Sequence, residues 1–383
     1  MRILHTCYSY WPTVDGVQEA VQRISEGLVA RGHEVTVATS YSPHRTSDVH
    51  NGVRIVQFDV RGRATRGYRG QVRAYQRFVR SSDCDVMLNY AAQQWSADLV
   101  FPLLPRLECA KVFLPCGFSA IDSWKWQPYY WFMPWVLRQY DAVVYLSTAN
   151  RDKAFGDRHQ ITHYRVIGNG ARDEEFLDAG GGFREKYGVV TGRLFLCVSN
   201  YSDLKNQRLV LDAFRRAEVS DATLVFVGSE MNDYARLLAR QCETVGHARV
   251  LAGVPREDLV AAYHDADLFL FGSKTECFPI VIVEAMASSM PYISTDVGCV
   301  SALPGGIIVH GVTEMAGAIR RLAGNAAARA RLGRQARDAW VRQFRWPFIV
   351  AEYENLYRTL LDQRRSPGPA SAPHHRLNPW RRW

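Results

Sequence analysis

The chain has 383 residues, a hydrophobic fraction of 47% and a formal net charge of +9. This length is too great for one ordinary domain and suits two domains of roughly 150 to 200 residues, each with its own core. No apolar stretch approaches the ~18 residues that a membrane-spanning helix needs, and residues 1–12 lack the features of a secretory signal. We therefore expect a soluble, cytoplasmic chain.

Strand-like apolar runs alternate with helix-like segments through the first half of the chain. The first helix-like segment is 17–32, and the apolar runs are residues 1–7, 33–39, 85–90, 111–117, 142–147 and 165–169. Such alternation predicts a parallel sheet with crossover helices.

The pattern restarts after a polar, glycine-rich segment at 171–192. A helix-like segment at 203–217 follows, and the apolar runs are residues 194–200, 223–228, 249–254, 268–273 and 291–295. We predict two α/β domains, residues 1–168 and 169–340, with ligands bound in the cleft between them.

The C-terminal region is predicted to be helical and then disordered. Pro347 interrupts one helical pattern, and residues 349–363 then place apolar side chains on one face, so a helix at about 341–363 should return to the first domain. Residues 364–383 are rich in Pro, Ser and Ala and then basic, which is typical of a disordered tail.

The segment 273–287, SKTECFPIVIVEAMA, holds two glutamates in an apolar run. It follows a predicted strand, and Pro279 suits the first position of a helix, so the N–H groups of about 279–281 should form an anion site at a helix N-terminus. Glu276 would lie in the loop and Glu284 in the helix. Two carboxylates placed this way suit the hydroxyl groups of one extended ligand, although a surface-facing Glu284 is the alternative.

Residues 262–298 resemble the signature of family 4 of the retaining glycosyltransferases, which have the two-domain GT-B architecture. The family has a glutamate, seven residues, a second glutamate, Ala-Met-Ala and a proline, matched here by Glu276, Glu284, residues 285–287 and Pro291. Further matches extend along nearly the whole chain. They are Pro12 with Asp15-Gly16, the run 31–35, the run 167–171 with Phe176, the strand end at 198–201, and Lys205-Asn206.

The resemblance implies a role for each matched residue. Glu284 would accept hydrogen bonds from the ribose of a nucleotide sugar, Glu276 would contact the transferred sugar, and Lys205 would neutralise the departing diphosphate. Backbone groups at Phe278, Pro279, Ile280 and Val281 would surround the sugar and diphosphate, although Pro279 has no N–H to donate. Gly16 would allow close approach of the first domain; a simple turn at Gly16 and a solvated Lys205 are the alternatives.

Five positions depart from the family pattern, and two of them, Cys277 and Pro279, replace the usual glycines beside Glu276. Asn200 stands where an arginine is usual, and it can bind phosphate but brings no charge. Cys116 stands where many members have a histidine, and a thiol is a weaker donor. Asp15 replaces a glycine, so it could contact sugar or acceptor, or could cap the following helix.

No cofactor or metal site is predicted. The eight cysteines are scattered, without a C-x-x-C pair or zinc-like spacing. A nucleoside diphosphate sugar would be a substrate, and no metal would be needed where a lysine and a helix N-terminus face the diphosphate.

The positive charge is concentrated in the first half of the chain and in the tail. Residues 61–80 hold seven arginines and no acid. If this stretch is helical, Arg69, Arg73 and Arg77 form a basic face suited to a lipid-linked pyrophosphate or an anionic bilayer. A solvated charged face is the alternative, and no nucleic-acid-binding motif accompanies the charge.

Residues 122–140 are dense in aromatic side chains, among them Trp124 and Trp126. Aromatic and basic residues together suit a bilayer interface, and aromatic faces suit stacking on sugars or a polyprenyl chain. Core packing is the alternative, because so dense a run cannot all be exposed without risk of aggregation.

The sequence predicts a retaining glycosyltransferase that moves a sugar from a nucleoside diphosphate sugar to a membrane-associated glycolipid or polysaccharide precursor. It would be cytoplasmic, with peripheral contact at the inner face of the membrane. Two alternatives stay open: a soluble small-molecule acceptor, and a non-catalytic nucleotide-sugar-binding scaffold subunit, which Asn200 and Cys116 favour.

Overall fold

The structure is a computed structural model that describes residues 1–13, 15–177, 180–189 and 192–365. Its N-terminal half contains the strands β1 (Arg2–Thr6), β2 (Glu34–Ser40), β3 (Val49–His50), β4 (Val53–Phe58), β5 (Val60–Arg63), β6 (Gly67–Gly70), β7 (Val86–Tyr90), β8 (Ala110–Leu114), β9 (Ala142–Tyr145) and β10 (Tyr164–Val166). The helices of this half are α1 (Gly16–Ala30), α2 (Val72–Ser81), α3 (Trp95–Asp98), α4 (Gln127–Leu137) and α5 (Arg151–Arg158).

Eight of these strands form one sheet in the order β10-β9-β8-β7-β1-β2-β4-β3, which is parallel except for the pair β3 and β4. Every residue of β7, β8 and β9 is buried, as expected for central strands with helices on both faces. Strands β5 and β6 stand apart as an antiparallel hairpin.

The C-terminal half has a second, wholly parallel sheet. Its strands are β11 (Arg193–Val198), β12 (Ala222–Gly228), β13 (Ala248–Ala252), β14 (Leu268–Phe271), β15 (Tyr292–Thr295) and β16 (Gly306–Val309), in the order β13-β12-β11-β14-β15-β16. Its helices are α6 (Asp173–Phe176), α7 (Phe183–Lys186), α8 (Gln207–Ala217), α9 (Asp233–Val245), α10 (Arg256–Asp265), α11 (Ile280–Ala287), α12 (Val312–Ala323) and α13 (Ala326–Gln343). The strand order reverses between β11 and β14, and a ligand crevice forms at such a switch point.

The last helix, α14 (Trp346–Arg365), returns to the first domain. Tyr357 bonds through its hydroxyl to Nε2 of His5 at 3.2 Å, and Glu354 accepts from Nε2 of His33 at 3.0 Å and from Arg31. The predicted pair of Rossmann-like domains with a returning C-terminal helix is thus confirmed. Residues 341–343, expected in this helix, belong to α13 instead. Residues 364 and 365, expected in the disordered tail, are the last residues of α14, and the rest of the predicted tail, 366–383, lies outside the described residues.

Candidate active site

The donor segment, which we define as residues 272–284, leaves the end of β14 and enters α11. Pro279 has extended backbone angles (φ −73°, ψ 110°), and the helix begins at Ile280. The run 280–283 is β-branched and yet helical. Helix α11 is buried from Ile282 to Ala287, and such tertiary packing outweighs the weak helix propensity of these residues. The first N–H groups of α11 have no partner within the helix, so they are available to an anion.

Lys205 and Glu276, predicted separately, are in contact. The Nζ atom of Lys205 lies 2.5 Å from Oε1 of Glu276. Hydrogen bonds between the two loops fix this pair, since the N–H of Lys274 donates to the carbonyl of Leu204 at 2.8 Å and Nδ2 of Asn206 donates to the carbonyl of Gly272 at 3.2 Å. The structure therefore brings together two candidate residues from separate loops.

Glu284 is only 6% exposed, so a surface-facing role is excluded. Its Oε1 accepts from Nη2 of Arg256 at 2.5 Å, and the same guanidinium group donates to Glu175. Burial disfavours the charge on Arg256, but the two carboxylates outweigh burial and raise the pKa of this guanidinium. Sequence reasoning missed Arg256, which lies 28 positions before its partner and in no local pattern.

The ion pairs continue across the cleft to the first domain. Arg172 contacts Glu175 at 3.0 Å and Glu19 of α1 at 2.6 Å. Helix α1 is therefore joined to Glu284 through a chain of alternating charges that includes Arg256.

The loop after β8 meets the donor segment. Cys116 has a left-handed backbone (φ 57°), and a Cβ atom added at Gly117 would lie 3.3 Å from Cβ and Sγ of Cys277. Asp152, which is fully buried, accepts from the N–H of Gly117 at 2.8 Å, and burial raises the pKa of this carboxyl. Nδ2 of Asn150 lies 3.1 Å from Sγ of Cys277. Cys116 thus lies where the two domains meet. Asp152 holds the loop at Gly117 in place, and the sequence alone did not identify this residue.

The remaining donor candidates have distinct surroundings. Asp15 caps α1, since its Oδ1 accepts from the N–H of Gln18 at 2.8 Å. Gly16 has no described atom within 4 Å of a Cβ position. Asn200 accepts from Oγ of Ser229 at 2.9 Å. The structure thus shows the capping function that was one of the two alternatives for Asp15.

Phe278 packs towards the linker between the domains. Its ring centroid lies 6.0 Å from that of Phe344, and its carbonyl accepts from Nδ2 of Asn169 at 3.4 Å. Pro279 is buried, and Ile280 and Val281 are half-buried at the start of α11. These residues thus form the end of the donor segment nearest the domain junction.

The predicted basic face is only partly correct. Arg69 belongs to strand β6, so it is not on helix α2 with Arg73 and Arg77. The glycines of residues 61–70 form a hairpin here, as a glycine-rich stretch should. Arg73 and Arg77 are exposed on α2.

The aromatic stretch divides between core and surface. Trp124 is 78% exposed and Trp131 is 77% exposed, whereas Trp126 is half-buried with its ring centroid 5.4 Å from that of Tyr129. Both interpretations of this stretch therefore apply, each to different side chains.

Two features are absent from the described residues. None of their helices is long and apolar enough to cross a membrane. Nor do these residues contain a group of three or more His, Cys, Asp or Glu side chains that could hold a metal ion.

Two family descriptions match the chain, one for each domain. "Glycosyl transferase 4-like domain" matches residues 15–170, and "Glycosyl transferases group 1" matches residues 183–339. Together with the fold, these matches show that the chain belongs to the group 1 glycosyltransferases of GT-B architecture.

Curated relatives match parts of the chain. The N-acetyl-alpha-D-glucosaminyl L-malate synthase of Bacillus anthracis is 27% identical over 46% of this chain and 49% of its own length. A GDP-mannose-dependent alpha-(1-6)-phosphatidylinositol monomannoside mannosyltransferase of Mycolicibacterium smegmatis is 28% identical over 40% of this chain and 44% of its own. The chain thus matches less than half the length of these two relatives.

Solved structures agree with the whole fold. HepE of Anabaena, solved with UDP and glucose, has a TM-score of 0.77 and 18% identity, covering 94% of this chain and 100% of its own. This likeness shows the shared two-domain fold.

Proposed function

We propose that the protein is a retaining glycosyltransferase that moves a sugar from a nucleoside diphosphate sugar to a membrane-associated glycolipid or polysaccharide precursor. The observation that carries this proposal is the donor segment, where Lys205 and Glu276 meet at 2.5 Å at one end and Glu284 lies buried at the other. The amide groups at the start of α11 lie between them. A carboxylate beside a lysine, then an anion site and then a second carboxylate suit a sugar, a diphosphate and a ribose in this order.

The chemistry follows from where charge develops. Breaking the anomeric bond places negative charge on the diphosphate, which Lys205 and the N–H groups of Ile280 and Val281 would stabilise. Glu276 is held by Lys205, which makes its carboxylate a poor nucleophile, and it would orient the sugar instead. Attack by the acceptor hydroxyl on the face that the diphosphate leaves, with a phosphate oxygen taking its proton, would retain the anomeric configuration. Metal would not be required.

The first test compares site variants with a matched control. Lys205→Ala and Glu284→Gln should each lower donor turnover by roughly 10- to 1000-fold, on the order of one or two lost charge-assisted contacts. Glu257→Gln changes the same residue type as Glu284 at an exposed position of α10 and should leave turnover unchanged. Wild-type turnover in both site variants would refute the assignment.

The donor and the stereochemistry need separate measurements. Thermal shift with UDP, GDP, ADP and CMP, each with several sugars, would identify the donor, because a ligand that binds the folded state raises the midpoint. NMR of the product would show the anomeric configuration, and inversion would refute the proposed mechanism. Turnover that persists after treatment with EDTA would support a metal-independent reaction.

The membrane acceptor draws support from two exposed features. Trp124 and Trp131 are largely exposed, and Arg73 and Arg77 lie exposed on α2. We propose that the protein is cytoplasmic and contacts anionic lipid peripherally. Wild type should sediment with vesicles of phosphatidylcholine and 30 mol% phosphatidylglycerol, and Arg73→Gln/Arg77→Gln should sediment less.

A soluble acceptor is the second candidate, and the relatives' names favour it in part. One name refers to L-malate and the other to a phosphatidylinositol mannoside. Full activity on a water-soluble acceptor, together with no vesicle binding, would favour this candidate. Nucleotide binding without any donor hydrolysis or transfer would favour a scaffold subunit instead.

A further inference from the structure

The first domain has a cavity of about 740 Å³ beneath the β5–β6 hairpin. Its floor comes from residues that follow three central strands: Tyr8 after β1, residues 92–94 after β7, and residues 119–120 after β8. In sheets of this class, ligands bind outside the carboxyl ends of the strands. The volume is within the range of ligand sites, roughly 300 to 1,000 Å³.

The lining of this cavity is positively charged. Arg61, Arg63 and Arg66 of the hairpin line it, and its lining contains no acidic residue. Arg61 pairs with Asp59 at 3.0 Å, whereas within the described residues Arg63 and Arg66 make no side-chain hydrogen bond or ion pair. Two guanidinium groups therefore lie beside the cavity with their donors available.

Unpartnered amides provide a second, independent observation. Among the described residues, Nε2 of Gln93 and Oε1 of Gln94 are buried without a hydrogen-bond partner, and both residues line the cavity. A buried polar atom without a partner destabilises a protein, so a ligand that bonds to it is favoured. Gln93 and Ala120 also have left-handed backbones (φ 62° and 53°), and such strain is common in ligand sites.

One lining residue of the cavity lies close in sequence to a residue that approaches the donor segment. Gly117 approaches Cys277, the residue after Glu276, and Ala120 lines the cavity. Three residues of chain span at most about 11 Å, so the cavity and the donor segment are neighbours. A ligand in the cavity is therefore within reach of a sugar held by Glu276.

We infer that this cavity binds the phosphate group of the acceptor, with Arg63 and Arg66 as the phosphate contacts and the amides of Gln93 and Gln94 as contacts to its hydroxyl or phosphate oxygens. The inference rests on the proposed transferase function and names the substrate class, a phosphorylated acceptor. Arginine binds phosphate through paired N–H donors, and a neutral amide offers one donor group and one acceptor. The phosphate is either part of a lipid or part of a soluble sugar phosphate.

Titration with inorganic phosphate tests the site. Calorimetry is done with saturating nucleoside diphosphate, so that the donor site is filled. Arg63→Gln/Arg66→Gln should weaken phosphate binding at least about tenfold, because charge-assisted hydrogen bonds are lost. Arg331→Gln/Arg334→Gln removes the same charge from exposed positions of α13, outside the cavity, and its affinity for phosphate should stay within twofold of wild type. Equal binding by all three proteins, or equal loss in both variants, would overturn the inference.

Two further arms identify the source of the phosphate. One uses glucose 6-phosphate, and the other uses phosphatidylcholine vesicles with and without 10 mol% polyprenyl phosphate. If Arg63→Gln/Arg66→Gln weakens binding in only one arm, the site is supported and that arm identifies the source of the phosphate. If the variant binds like wild type in both arms, the inference is contradicted. Nucleotide affinity should not change in this variant. If wild type bound phosphate here but neither hydrolysed a donor nor transferred its sugar to any acceptor, the transferase proposal would fail while the anion site would stand.

Discussion

Asp98 is the residue that holds the β5–β6 hairpin to the first domain, and its substitution tests this connection. Its carboxylate accepts from the hydroxyl of Tyr68 in β6 at 2.6 Å and from that of Tyr129 in α4 at 2.8 Å. Burial raises the pKa of Asp98 from 3.8 to about 6, against the opposing effect of these two hydrogen bonds. The hairpin is thus held by a carboxylate that is costly to ionise.

The magnitude follows from this pKa. Between pH 3.8 and about 6 the folded protein keeps the proton that the unfolded chain has lost, so stability falls as pH rises through this window. At ~1.4 kcal/mol per pH unit, the full loss is about 3 kcal/mol, of which about 2 kcal/mol falls between pH 4.5 and 7.5. Asp98→Asn removes the titration and keeps one carbonyl oxygen for a tyrosine.

The assay is equilibrium urea unfolding of wild type and Asp98→Asn at several values between pH 4.5 and 7.5. The difference between the two proteins removes the contribution of every other titrating group. Relative to wild type, the variant should gain about 2 kcal/mol of stability on going from pH 4.5 to 7.5. If the difference in free energy of unfolding between the two proteins stays constant within about 0.5 kcal/mol from pH 4.5 to 7.5, the raised pKa of Asp98 is refuted. Tyr68→Phe should destabilise by about 1.5 to 3 kcal/mol at neutral pH, and the exposed control Tyr41→Phe should not.

Three other substitutions test the connections of the site. Arg256→Ala leaves buried Glu284 without its cationic partner and should destabilise the protein by about 3 to 5 kcal/mol in urea unfolding; an unchanged midpoint would contradict this. Gly298→Ala places a Cβ 2.6 Å from the carbonyl oxygen of Cys277 at φ +55°, so circular dichroism should show a lower thermal midpoint and donor turnover should fall. Hydrogen bonds from its arginine and histidine partners lower the pKa of Glu354 to about 2. The contribution of this carboxylate to the free energy of unfolding is therefore present above pH 4.5 and is lost as pH falls towards 2. Glu354→Gln should therefore be less stable at pH 7 and lose less stability on acidification, as measured by thermal midpoints from pH 3 to 7.

Local sequence patterns predicted the architecture and the donor segment well. Apolar runs of five to seven residues, separated by helix-like segments, predicted parallel sheets with crossover helices. The donor segment was predictable because a strand end, Pro279 and the helix that carries Glu284 are consecutive in sequence. The contact between Lys205 and Glu276 was not predicted: the family resemblance gave each residue a separate role, and no local pattern joins positions 71 residues apart.

The arginine-rich stretch was misread because one periodicity was extended too far. Arg73, Arg77 and Arg80 do follow a helical spacing, but Gly67 and Gly70 precede them and favour a turn or hairpin. Giving more weight to these glycines would have placed the first residue of the helix near 72. The cavity beneath the hairpin depends on contacts between residues distant in sequence, which periodicity cannot reveal.

In the proposed reaction, the loop after β8 would bring the donor segment and the cavity of the first domain together. Transfer requires an acceptor hydroxyl and an anomeric carbon to be held close together, so that little freedom is lost at the moment of reaction. Gly117 approaches Cys277 beside the donor segment, and Ala120 lines the cavity of the first domain. Asp152 fixes this loop through the N–H of Gly117 while remaining buried itself. The distance between donor and acceptor would therefore be set by a carboxylate that touches neither substrate.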